Sequence, residues 1–140
     1  MLEVKKEITH SRDLRLNDLH RTFGWDCPVT DIDFLEFDNR KAVALFENKK
    51  QNAPICYPNN ASRCALVDLG NRAGIPVFGL RYSNDLTRFD ITPLNPMARK
   101  YLTGTVRHSV DQYKNFLYRL RGRRVEDCNA NLRDSQQPGS

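Results

Sequence analysis

Residues 30–50, "TDIDFLEFDNRKAVALFENKK", contain two short apolar runs, and each run carries acidic residues at one end. The runs 31–37 and 42–48 have the length and composition of β-strands, and the Asp38-Asn39 pair between them has the chemistry of a tight turn. The stretch therefore predicts an antiparallel hairpin. Both runs are apolar on both faces, which predicts strands in the middle of a layered α/β structure.

The chain after the hairpin predicts alternating element types. A helix is expected over 61–73, with Asn60 or Ser62 near its cap and Gly74 at its end. Strands are expected over 75–83 and 88–94.

A last helix is expected over 109–121. Its predicted buried stripe consists of Val110, Tyr113, Leu117 and Leu120.

The two ends of the chain carry weaker patterns. A short helix is expected from Ser11 to Gly24, and residues 2–8 alternate as an edge strand or a frayed lead-in would. The tail 129–140 has little apolar content and is predicted to be disordered, which leaves one domain over 1–128.

Composition and charge exclude several classes of protein. The 140 residues hold no apolar run of membrane-spanning length and begin without a signal-peptide pattern, which predicts a cytoplasmic protein. The four cysteines are spaced unlike those of a zinc site or a disulfide framework. The net charge of +5 suits a polyanionic partner, although a basic run is more often one solvated face of a helix.

The hairpin brings its acidic residues together. If the turn closes with Asp38 opposite Ala42, then Asp33 faces Glu47 and Asp31 faces Lys49. Opposed carboxylates about 5 Å apart repel unless a cation lies between them. A divalent ion such as Mg²⁺ would remove that repulsion.

The simpler interpretation is that these acids are exposed at strand ends. A register different by one residue would place Asp33 opposite Phe46, and strand registers inferred from sequence err by a few residues. Geometry alone leaves a metal site and a solvated strand end about equally favoured.

Asp33 is followed by a hairpin, then by Glu47-Asn48-Lys49, and then by a helix and a strand. This order of residues and elements resembles the PD-(D/E)xK nuclease superfamily. The stretch "WDCPVTDIDFLEF" also resembles small phage-type proteins with a "CP…DIDF…E-x-K" pattern. The resemblance implies a restriction endonuclease-like three-layer core with a central mixed β-sheet flanked by helices. It also implies a cofactor of Mg²⁺ or Mn²⁺ and cleavage of phosphodiester bonds in the cytoplasm of a bacterial or phage-infected cell.

By this resemblance Asp33 and Glu47 would be metal ligands, the backbone carbonyl of Asn48 a further ligand, and Lys49 the catalytic lysine. Asp31 is a second candidate for the aspartate, and a third acidic ligand could come from Glu7, Asp13 or Asp18.

The expected partner is nucleic acid, with DNA favoured over RNA, and no membrane. The residues expected to hold its backbone are Lys50, Arg63, Arg81, Arg119, Arg121, Arg123 and Arg124. Trp25 and Tyr57 could stack on a base, although such residues more often serve packing. The alternative is a non-catalytic module of the same fold that binds nucleic acid or protein. The small size of the chain favours that alternative, or else a homodimer.

Overall fold

The structure, a computed structural model, describes residues 14–54 and 59–123. The chain divides into two compact units, Met1–Asp31 and Ile32–Ser140. The first unit contributes one described helix, α1 (Leu14–Arg21), whose leucines at 16 and 19 are exposed. The sequence-predicted strand at 2–8 and the tail at 129–140 lie outside the described residues.

The second unit begins with the predicted hairpin, formed by β1 (Phe34–Asp38) and β2 (Lys41–Lys50). Asn39 and Arg40 join the strands with φ values of 51° and 69°, the two positive angles that a two-residue type I′ turn requires.

The hairpin register agrees with the prediction at one end only. The turn closes with Asp38 opposite Lys41 instead of Ala42. A β-bulge between Glu36 and Phe37 then leaves Val43 as an extra residue on β2, so that the strands beyond it realign. Phe34 lies opposite Phe46, as the predicted register requires.

The prediction that both hairpin strands are buried on both faces, within a layered structure, is wrong for β1. The strand order is β1-β2-β3-β4-β5, so β1 is an edge strand, and its residues Phe34, Leu35 and Phe37 are exposed. Apolar residues on two faces favour burial, but they carry no information on how many neighbours a strand has within the sheet.

Helix α2 (Ala61–Ala73) has the predicted bounds because both of its ends are encoded locally. The Asn60 side chain accepts a hydrogen bond from the Arg63 amide, and Gly74 ends the helix with the left-handed φ of 72°. The helix connects β2 to β3 (Val77–Tyr82), and this crossover makes the two strands parallel.

The remaining elements complete the sheet and its second covering layer. β4 (Phe89–Pro93) pairs antiparallel with β3, and β5 (Val106–His108) pairs antiparallel with β4. Helix α3 (Pro96–Arg99) precedes β5, and α4 (Val110–Leu120) follows it with a Ser109–Gln112 capping box. The sequence did not predict α3 or β5, which span four and three residues and are too short for a periodic pattern.

The sheet separates two apolar cores, which confirms the predicted α/β layering. On the α2 face, Leu45 and Val77 pack against Leu66. On the other face, Phe46 and Phe78 pack with α3 and α4 through Ala98, Phe116 and Leu120. The predicted α4 stripe is therefore partly wrong, because Phe116 is buried whereas Val110 is exposed.

Asn95 connects α2, β3 and α3 from inside the protein, where it is almost fully buried. Its Oδ1 accepts hydrogen bonds from the backbone amides of Val77 and Ala98, at 3.0 and 2.9 Å. Its Nδ2 donates to the Asn71 side chain and to the carbonyl of Ile75. In the described segments, no helix is long and apolar enough to cross a membrane.

Candidate active site

The strand directions bring the sequence-predicted residues to one edge of the sheet, which here means the line along which strands begin or end and not an edge strand. β2, β3 and β5 end at this edge, and β1 and β4 begin there. Asp33 precedes β1 directly, and Glu47, Asn48 and Lys49 lie near the end of β2.

Asp33 contacts the middle of the Glu47-Asn48-Lys49 segment. Its Oδ2 accepts a hydrogen bond of 2.8 Å from the backbone amide of Asn48. Asp33 lies one residue beyond the last strand pair, in a bend, so strand alternation does not fix the direction of its side chain. The structure therefore brings Asp33 beside β2, although not in the direct opposition to Glu47 that the register predicts.

Glu47 is paired with an arginine of α2. Its carboxylate oxygens accept from Nη2 and Nε of Arg63, at 3.2 and 3.4 Å. The side chains of Glu47 and Arg63 are 13% and 20% exposed, so the pair is largely shielded from water. The guanidinium of Arg63 thus supplies, next to Glu47, the positive charge that a metal ion was predicted to supply.

Strand alternation distributes the predicted residues over both faces of the sheet. On the α2 face, Glu47, Lys49 and Arg63 line a cavity of about 170 Å³, together with Gly79, Leu80, Arg81 and Thr92. On the opposite face, Asp33 and Asn48 line a cavity of about 540 Å³ whose other walls are Phe34, Leu80, Tyr82, Leu86, Phe89 and Tyr113.

The oxygen atoms at this edge suit a hard cation in their chemistry. The side-chain Oδ1 of Asn48 is buried and has no hydrogen-bond partner within the described residues, and Asp33 lines the same cavity. Carboxylate and amide oxygens are the ligands that Mg²⁺ accepts. Asn48 thus offers its side-chain oxygen, whereas the family resemblance implies its backbone carbonyl. Glu47 lies on the opposite face of the sheet from the Asn48 side chain, where its carboxylate is paired with Arg63.

No group of three or more histidine, cysteine, aspartate or glutamate side chains in 14–54 and 59–123 is arranged to hold a metal ion. Asp31 belongs to the first unit, where it is exposed. Asp18 lies on α1 of that unit, and Glu7 and Asp13 fall outside the described residues. The third acidic ligand stays unassigned.

The basic run near the C-terminus is tied to β1 by ion pairs. Arg121 contacts Glu36 at 3.1 Å with both side chains largely buried, and Arg123 contacts Asp38. Arg119 lies over the ring of Tyr101. The described part of this run therefore anchors α4 to the sheet, and Arg124 falls outside it.

Arg81, predicted to contact nucleic acid, has a structural role that the amino-acid sequence did not predict. Its Nη1 donates to the carbonyls of Lys50, Gln51 and Ala53, which fixes the turn after β2. Lys50 itself is exposed at the end of β2. Of the two aromatic residues expected near nucleic acid, Trp25 is almost fully exposed within the first unit and Tyr57 is outside the described residues.

The contacts of three arginines at this edge do not follow from the sequence. Arg63 is predicted to contact phosphate but pairs with Glu47, and Arg88 and Arg107 are not among the predicted site residues. Only the period-two spacing of Arg88, which directly precedes β4, and Asp90 on β4 could have indicated a shared polar face. No known protein family, curated protein or solved structure matches the chain.

Proposed function

We propose that this chain is a metal-dependent nuclease that hydrolyses phosphodiester bonds in nucleic acid, with DNA favoured over RNA. One observation supports the proposal above the others: the Asp33 carboxylate is held 2.8 Å from the backbone amide of Asn48, at the centre of Glu47-Asn48-Lys49. The hairpin, the α2 crossover and the parallel β3 also have the order found in the PD-(D/E)xK resemblance.

Each residue at the edge has a role in this proposal. Glu47 would hold Mg²⁺ or Mn²⁺ on the face that also carries Lys49, and Asp33, which lies in a bend at the end of the hairpin, would join it by turning its carboxylate from the Asn48 amide towards that face. The ion would supply Lewis-acid activation of the phosphate and of the attacking water. Lys49 is exposed in the Glu47 cavity, where its ammonium group can stabilise the negative charge that develops on the phosphate. Arg63 must leave Glu47 before that carboxylate can bind a cation, and substrate phosphate is a suitable new partner for it.

The test is cleavage of labelled DNA and RNA with Mg²⁺ or Mn²⁺, by the wild type, Lys49→Ala and Glu47→Gln. We expect both variants to lose at least about a hundredfold in rate. Lys49→Ala should keep the thermal unfolding of the wild type, whereas Glu47→Gln also removes the charge that pairs with Arg63, so its fold is checked separately by circular dichroism. Asp68→Asn on α2 is the control, because it removes an exposed carboxylate whose ion pair is with Arg72. Wild-type activity in Lys49→Ala and Glu47→Gln would show that the site is wrongly assigned.

A non-catalytic module that binds nucleic acid or protein is the second candidate. The Glu47–Arg63 ion pair favours it, because the pair neutralises the carboxylate without a metal. Titration calorimetry with Mn²⁺ separates the two candidates. The nuclease should bind metal, and Asp33→Ala/Glu47→Ala should lose that binding, whereas a module that uses these acids only structurally should bind none.

A further inference from the structure

A row of charged residues crosses the sheet at the edge that carries the candidate active site. Lys49 lies opposite Arg81, Arg81 opposite Asp90, and Asp90 opposite Arg107. Directly paired residues share one face of a sheet. Neighbouring strands are about 4.8 Å apart, so the row from Lys49 to Arg107 spans roughly 14 Å.

The far end of this row borders a basic cavity of about 320 Å³. Its lining residues are Gln51, Asn52, Arg81, Ser83, Arg88, Asp90 and Arg107. Three arginines against one aspartate give the lining a formal charge of +2. Arg81 also lines the cavity that holds Glu47 and Lys49, so the two cavities are neighbours along one face.

The exposed arginines of this cavity are held in place by contacts that leave them able to bind an anion. Arg107 donates from Nε and Nη2 to Asp90, at 3.0 and 3.4 Å, and this hydrogen bond raises the pKa of Arg107. Arg88 donates from Nη2 to the Gln51 side chain at 3.1 Å. A guanidinium carries five N–H donors, so these contacts leave further donors for a phosphate.

We infer that Arg88 and Arg107, beside the fixed Arg81, form a phosphate-binding site for the nucleic-acid strand that enters the Glu47–Lys49 cavity. The inference rests on the proposed function for the identity of the partner. A nucleic-acid strand advances about 3.4 Å per nucleotide, so a row of roughly 14 Å matches about four nucleotides. The site holds backbone phosphates that lie a few nucleotides from the scissile bond. Because it contacts phosphates and not bases, it confers no sequence specificity.

The test measures binding without cleavage, by fluorescence anisotropy of a labelled random-sequence DNA duplex in EDTA, over 50 to about 200 mM salt. The variant is Arg88→Ala/Arg107→Ala. Its matched control, Arg72→Ala/Arg99→Ala, removes the same charge from residues near the ends of α2 and α3, by the opposite edge of the sheet. Like Arg107→Ala, Arg72→Ala also releases one aspartate from an exposed ion pair.

We expect the Arg88/Arg107 variant to lose at least about tenfold in affinity, and the slope of log K against log salt to become shallower by about 1.8, which is 0.9 for each lost phosphate contact. The control should keep the wild-type slope. The single variant Arg88→Ala breaks only the exposed contact with Gln51. Its salt slope should become shallower by about 0.9, half of the change in the double variant, and it serves as a check if the double variant misfolds.

Three results would overturn the inference. An Arg88/Arg107 variant with wild-type affinity and slope refutes this site, while the proposed nuclease stands if the wild type still cleaves. A wild type that binds neither this duplex nor single-stranded DNA or RNA, measured in the same way, refutes both the site and the proposed nuclease. Displacement of the duplex by inorganic phosphate, at an equal concentration of phosphate groups, would assign the cavity to a small anion instead.

Discussion

Replacing Arg63 with methionine should lower the free energy of unfolding and, at the same time, raise the affinity for a metal ion. The change removes the cation that pairs with Glu47 and leaves a carboxylate that is only 13% exposed. Loss of one partner from a fully buried pair costs about 3–5 kcal/mol, and because both side chains here retain some contact with water, we expect about 2 kcal/mol. The free energy of unfolding in EDTA, measured with urea, should fall by that amount.

The same 2 kcal/mol opposes metal binding in the wild type, because the cation must first displace Arg63 from Glu47. Removing the arginine should therefore tighten the binding of Mn²⁺ by roughly thirtyfold, at 1.4 kcal/mol for each factor of ten. At a free metal concentration one hundred times its Kd, binding adds about 2.7 kcal/mol, which would return Arg63→Met close to wild-type stability.

Two controls make this experiment decisive. Arg72→Met breaks an exposed pair with Asp68, so it should change stability by less than about 0.5 kcal/mol and leave metal binding alone. Glu47→Gln/Arg63→Met should show neither the tighter Mn²⁺ binding nor the gain in stability on adding Mn²⁺. Equal Mn²⁺ affinity in the wild type and Arg63→Met would refute the idea that the arginine competes with a cation.

Three further changes test the fold around this edge. Asn95→Ala removes four hydrogen bonds, two of them fully buried, so the free energy of unfolding in urea should fall by about 4 kcal/mol, and a loss below about 1 kcal/mol would contradict the bonding described. Arg40→Gly relieves a non-glycine residue at φ 69° and should raise the free energy of unfolding by about 1 kcal/mol; a decrease would argue against the type I′ turn. Burial, and then the charge of Glu36, raise the pKa of Tyr113 to about 12, so the unfolded state loses this proton first and stability should fall from about pH 10 to 12. Tyr113→Phe should flatten that decline in alkaline urea titrations, and an unchanged decline would mean that Tyr113 titrates normally.

The features that the sequence predicted well are those encoded over short distances. Asn60 and Gly74 mark the ends of α2 through hydrogen bonds and a backbone angle within the helix termini, and the predicted bounds are confirmed. The hairpin is confirmed for the same reason, because its two apolar runs and the turn between them are contiguous, although the turn residues are Asn39 and Arg40 and not the predicted Asp38 and Asn39.

The candidate site was harder to predict because its decisive contacts join distant residues. Arg63 meets Glu47 only because α2 crosses back over β2, and the sequence contains nothing that distinguishes this arginine from the others. Arg121 and Arg123 likewise find their acids on β1, 85 residues away along the chain. A basic run read in isolation predicts a partner such as phosphate, whereas here the fold itself supplies the anions.

The β-bulge at Glu36 and Phe37 makes the turn a useful point of attachment for engineering. The extra residue at Val43 lets a two-residue turn close between Asp38 and Lys41 while Phe34 lies opposite Phe46. Asn39 and Arg40 are exposed at the edge of the sheet opposite Asp33 and Lys49. A fluorophore attached to the side chain at position 40 would therefore lie at the other end of β2 from the candidate site and leave the residues that line that site unchanged.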